Sequence, residues 1–210
     1  MAAVAADNPA RAPSGNGLIG APPRAIVAFA ARTLAWSVPL FAAWYLAAQP
    51  LSLAACWGAA RMLDHAAPVE RTAIEWHDGH VTFLMVPDAS TVYAQRLRSG
   101  MSFEIPVNAA KQTYGLPFFL ALLLGGRSRR FAAKGAGGCA ALLALASAGI
   151  ACEVAIAYAS LRVPGGAHLF APGAVGATLI ALGFQLGSLL LPSAGPIALW
   201  AGLEGRARTG

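Results

Sequence analysis

The sequence predicts an all-α membrane protein: four transmembrane helices with a small extracytoplasmic antiparallel β insert. Three observations carry this expectation. Apolar residues make up 57% of the chain and charged residues only 11%, against roughly a quarter charged in soluble domains. The uncharged run that begins at Thr113 stops abruptly at Arg127, Arg129, Arg130 and Lys134, and short loops this basic resist translocation, so the cluster marks a cytoplasmic turn. The one sizeable polar stretch, 64–111, holds six of the nine acidic residues and must then lie outside. The net charge of +6 arises from short clusters at the ends of apolar runs. There is no basic face interleaved with aromatics, so the partner implied is the lipid bilayer and not a nucleic acid.

In chain order, residues 1–23 are mostly Ala, Pro, Gly, Ser and Asn and bury too little apolar surface to offset the entropy of ordering, which predicts a flexible cytoplasmic tail. Residues 24–63 hold the first span, over 26–48, and an interfacial helix over 51–63, with Gln49-Pro50 as the exit from the bilayer. Leu53-Ala54-Ala55-Cys56 has the form of a lipobox, but it lies late in the chain and Pro50 separates it from the apolar run. An uncleaved anchor helix is the plainer reading, and lipidation of Cys56 is left open.

Residues 64–108 form the insert. Two short β-type runs, 72–77 and 81–86, flank Asp78-Gly79, a dipeptide suited to a tight hairpin turn. A second pair, 91–97 and 101–107, flanks Ser99-Gly100. A sheet this small has a weak core and is expected to rest on the membrane helices or on a partner. His77 and His80 bracket the first turn with Glu75 and Asp78 nearby, but without a third ligand at matching spacing they do not make a zinc site. No metal or cofactor is expected.

Residues 109–203 supply three further spans. The second, 109–126, is short, so Lys111 must reach outward at its outer end. Tyr114, Gly115 and Pro117 at that end predict a kink that offers a partner-binding groove. The third span, 136–161, carries Glu153. An intramembrane carboxylate is a functional hypothesis by default, but this one lies about 26 Å beyond Ala136 along a helix, near the outer interface. Arg162 and His168 belong to the outer loop that follows. The fourth apolar run begins near Gly173 and is too long for one straight crossing, so Pro192 and Pro196 are expected to divide it. Gly183 and Gly187 form a GxxxG, with Gly176 one heptad earlier, which predicts a helix-packing face with Gln185 turned into the bundle. Residues 204–210 end in the cytoplasm. This topology puts nine Lys and Arg with two acids inside, and six with six acids outside, the bias expected for both termini cytoplasmic.

Gln112–Leu122 (QTYGLPFFLAL) and Ala181–Trp200 (ALGFQLGSLLLPSAGPIALW) resemble the corresponding stretches of the exosortase H-associated membrane proteins, a small bacterial inner-membrane family. The order of elements over 33–203 is similar as well. The resemblance implies an accessory of a system that sorts and processes proteins bearing a carboxy-terminal PEP-type signal, with an exosortase or its cargo as partner and no catalytic residues. Two alternatives stand beside it. Exosortases themselves resemble one another through a Cys, an Arg and a further Arg or His, and Cys152, Arg162 and His168 offer those types in that order. Glu153 beside Cys152 opposes thiolate formation, however, and a small buried side chain is the simpler role for this cysteine. The other alternative is a homo-oligomeric transporter subunit, which lacks a second charged residue at mid-depth.

Overall fold

The computed structural model describes residues 22–67, 69–77, 80–87, 102–128, 130–162, 170 and 172–209. The fold is mostly helical, with a small three-stranded antiparallel sheet. Two helices are long and apolar enough to cross a membrane, and a bent helix pair makes a third candidate. The elements are α1 (Pro23–Ala66), β1 (Val69–His77), β2 (His80–Pro87), β3 (Phe103–Val107), α2 (Ala110–Thr113), α3 (Gly115–Gly125), α4 (Phe131–Ser160), α5 (Ala174–Gln185), a π-helical turn (Leu186–Leu190) and α6 (Leu191–Thr209).

The first correction concerns α1. A span ending at Gln49-Pro50 and a separate surface helix are expected; a single helix of 44 residues is observed, with Pro39 and Pro50 inside it. At 1.5 Å per residue it is about 66 Å long. Each internal proline removes one backbone hydrogen bond. Burial offsets that loss, because Ala55, Cys56, Ala59, Ala60 and Leu63 recur at helical spacing and lie in the core beneath the sheet. Cys56 is a fully buried side chain within this helix.

The sheet has the order β1-β2-β3. Residue pairing runs from Val69↔Pro87 to His77↔His80, so Asp78-Gly79 alone join the two strands. β3 pairs with β2 from Val81↔Val107 to Met85↔Phe103. Alternation along β2 turns Val81, Phe83 and Met85 inward onto α1, while Thr82, Leu84 and Val86 face the other way. The expected strand at 91–97 and the turn at Ser99-Gly100 lie outside the described residues.

A second difference concerns the form of the expected second span. In place of a continuous second span, α2 and α3 together run from Ala110 to Gly125, about 24 Å at helical rise. That is shorter than a lipid-facing crossing needs. Most of α3 is instead buried by its neighbours, with Phe119 and Leu123 fully enclosed in a second core cluster. The helix closes in a Schellman-type turn. Arg127 N–H donates to Leu124 O and Ser128 N–H to Leu123 O, both at 3.1 Å, and Arg127 itself takes the left-handed conformation with φ 51°.

Phe131 opens α4 five residues before the expected start. The last apolar run divides as expected, although the break is the π-helical turn at Leu186–Leu190, followed by Pro192, and Pro196 lies within α6. The two arms are bent by 77°. At the far end, Glu204 of α6 accepts hydrogen bonds from Lys134 Nζ (2.8 Å) and from Ser128 Oγ.

Candidate functional site at the sheet end of the bundle

Most of the residues singled out in the sequence converge where α1, α2, α4 and the broken helix meet beneath the sheet. Lys111 on α2 donates to Glu153 Oε1 on α4 at 2.6 Å. The sequence places each at the outer end of its own span; the structure joins them, and their opposite charges at one depth are the signal in the sequence that pairs them. The Lys111 side chain is 43% exposed and that of Glu153 20%, so one charge reaches water while the other lies at the protein surface boundary. Among the described residues, Glu153 Oε2 has no hydrogen-bond partner.

Gln112 follows Lys111 and is only 5% exposed, with neither amide atom partnered among the described residues. Sequence reasoning missed this group. It borders a cavity of about 10 Å³ lined by Gly115, Leu142, Ala146 and Pro192, about the least space that admits one water. Trp44 Nε1 on α1 donates to Thr113 Oγ1 at 3.3 Å, and that hydroxyl donates to Ala110 O at 3.2 Å. The seam is thus polar but contains one neutralised ion pair and no second titratable group aimed at Glu153 from α2. Its geometry suits fixing helix depth and register better than proton transfer.

Gly187 approaches α4 so closely that an added Cβ would lie 2.6 Å from Gly149 Cα, and a Cβ at Gly183 would lie 2.6 Å from Cys152 Sγ. These two glycines therefore sit in the contact between α4 and the broken helix. Gly176 does not; its nearest neighbour is Pro172, 3.3 Å from an added Cβ. Gln185 is exposed rather than turned into the bundle, because the contact face is set by Gly183 and Gly187, and position 185 lies roughly 200° around a helix from 183. The Tyr114–Pro117 turn is an interior contact. Gly115 and Pro117 are buried, Tyr114 is half-buried, and a Cβ at Gly115 would lie 2.9 Å from Pro192 O and 3.1 Å from Pro196 Cγ. Arg162 is exposed beyond the end of α4, and His168 lies outside the described residues.

Gly115 on Pro192 and Pro196 also brings together the two stretches that carried the family resemblance. Residues 23–207 match the family of exosortase H-associated membrane proteins. The chain belongs to this family. No curated protein and no solved structure matches it. As an exosortase H-associated membrane protein it has candidate spans in α1, α4 and the bent α5–α6 pair. Their mutual packing passes through the family-like stretches.

Proposed function

We propose that this exosortase H-associated membrane protein is a non-catalytic scaffold of the bacterial inner membrane. In this reading it crosses four times, keeps both termini in the cytoplasm and holds residues 64–108 outside. The two ion pairs support the depth assignment. From Lys134 to Glu153, α4 rises about 28 Å, close to the thickness of the hydrocarbon core. On α1 the rise from Trp36 to Trp57 is about 32 Å, and both indoles are exposed, as in interfacial aromatic belts. The fourth crossing is the short α2–α3 segment, which bridges the same two levels while shielded from lipid by its neighbours.

The observation that carries the scaffold role is the seating of the sheet. Its inner face is sealed onto α1, beyond the Lys111–Glu153 level, and its outer face presents Glu75, Thr82, Leu84 and Glu104. This is a polar-apolar surface held rigidly above the bilayer, suited to an exosortase or its cargo. Cys152 is read as structural, since its sulfur fills the contact with Gly183.

The test is photocrosslinking in native membranes with a reactive residue replacing Glu104, and a control replacing Ala133, which is exposed near the start of α4. Capture of the exosortase or a sorted protein from position 104 alone supports the scaffold. Self-capture alone replaces it with a homo-oligomer. A Cys152→Ser variant that abolishes sorting while the protein stays folded would overturn the non-catalytic reading.

A further inference from the structure

The opposite end of the bundle carries a cleft that the scaffold role does not use. Thr33 of α1 lies directly on Gly125 at the end of α3, with its hydroxyl where a Cβ would be. That contact sets Arg32 beside the α3–α4 turn. Between them opens a cleft of about 380 Å³, within the range of small-molecule sites. It is lined by Arg32, Trp36, Leu123, Leu124, Arg127, Ser128 and Phe131. Neither guanidinium forms an ion pair among the described residues. The nearby carboxylate, Glu204, is held by Lys134 and Ser128.

Two features indicate what the cleft takes. Its charge is confined to the end level with the Lys134–Glu204 pair, and its walls towards the bundle centre are leucine and indole. An occupant with an anionic head and an apolar body fits; a small inorganic anion would leave the apolar part unfilled. Arg127 moreover holds φ 51° directly after Gly125-Gly126. Left-handed backbone costs an L-residue roughly 1 kcal/mol relative to glycine, so an arginine occupies the position where a glycine would be cheaper. Arg130 holds a left-handed φ of 59° as well but does not line the cleft, so it is the placement of Arg127 on the cleft wall that gives its backbone cost a use.

We propose that this cleft binds one acidic phospholipid of the adjoining leaflet, with the phosphate between Arg32 and Arg127 and an acyl chain along Trp36 and Leu124. Guanidinium groups suit phosphate because their planar donor fork matches its oxygens, and basic pockets at helix junctions near the headgroup level are a recurrent form of lipid recognition.

The full chain, purified in mild detergent, would be titrated with phosphatidylglycerol or phosphatidylcholine and weighed by native mass spectrometry. Variants Arg32→Gln and Arg127→Gly would be compared with Arg24→Gln, which removes the same charge outside the cleft. Retention of phosphatidylglycerol should exceed that of phosphatidylcholine and fall about tenfold in the Arg32→Gln/Arg127→Gly double variant, with Arg24→Gln unchanged. The Arg127→Gly chain relieves the left-handed strain, so its melting temperature should be equal or higher, which separates lost lipid from lost fold. Equal retention of both lipids, or equal loss in Arg24→Gln, would overturn the proposal. Displacement of the lipid by excess inorganic phosphate alone would reassign the cleft to a free anion and overturn it as well.

Discussion

The two ends of α4 are fastened by the same chemistry in different settings. Towards the sheet, Glu153 pairs with a Lys111 that is nearly half exposed; towards the turn, Glu204 pairs with a Lys134 that is only 14% exposed and also accepts from Ser128. The sheet end has a large apolar cap, with Phe83, Met85 and Ile105 closing over α1. The turn end has a smaller cluster of its own, in which Leu123 packs with Trp200 and Leu203, together with Phe29 stacked on Trp200 at 5.2 Å and Thr33 pressed on Gly125. An ion pair nearly half open to water sets depth and adds little stability, whereas one largely shielded from water fastens its helices more firmly.

That contrast can be broken in order of expected effect. Phe83→Ala empties a fully enclosed position under the sheet and should cost about 3–5 kcal/mol. Thermal unfolding in detergent measures it, and maleimide labelling of Cys56, which the sheet covers, should rise in parallel. An unlabelled Cys56 in that variant would mean the cap is sealed by something else. Glu204→Gln should cost about 2 kcal/mol, because it leaves the Lys134 ammonium poorly solvated and without its carboxylate. Glu153→Gln should cost about 0.5–1 kcal/mol, since Lys111 can turn to water. Equal costs for these two glutamates, measured side by side, would end the distinction between the ends. Smallest and opposite in sign, Arg127→Gly should stabilise by about 0.5–1 kcal/mol through its relaxed backbone.

Much of the architecture was legible because the bilayer and the hairpin impose local rules. Arg127 to Lys134 marked the α3–α4 turn, Asp78-Gly79 placed the β1–β2 junction, and Pro192 came next to the break in the last apolar run. What escaped depended on contacts distant in sequence. Pro50 reads as a helix end until the sheet gives the following turns something to bury. The 109–126 segment reads as a lipid-facing span because nothing local says that neighbours enclose it. Gly183 and Gly187 were visible as a packing face, but the side on which Gln185 falls follows from the partner helix. Gln112 gave no signal at all: a polar residue beside a lysine at a span boundary looks exposed, and contacts distant in sequence, among them Gly149 of α4, enclose it.

The unbroken course of α1 has a consequence for how the outer face is aimed. In the proposed topology the bilayer grips this helix near Trp57 and the sheet sits on its last turns, so every residue between them sets both height and heading. One residue added there would lift the sheet by about 1.5 Å and swing it by about 100°. An insertion of seven would raise it about 10 Å and restore the heading nearly to its start. The stretch Gly58–Ala66 therefore acts as a threaded post whose length and phase are not independent, and the direction in which Glu75 and Glu104 point is written into its residue count.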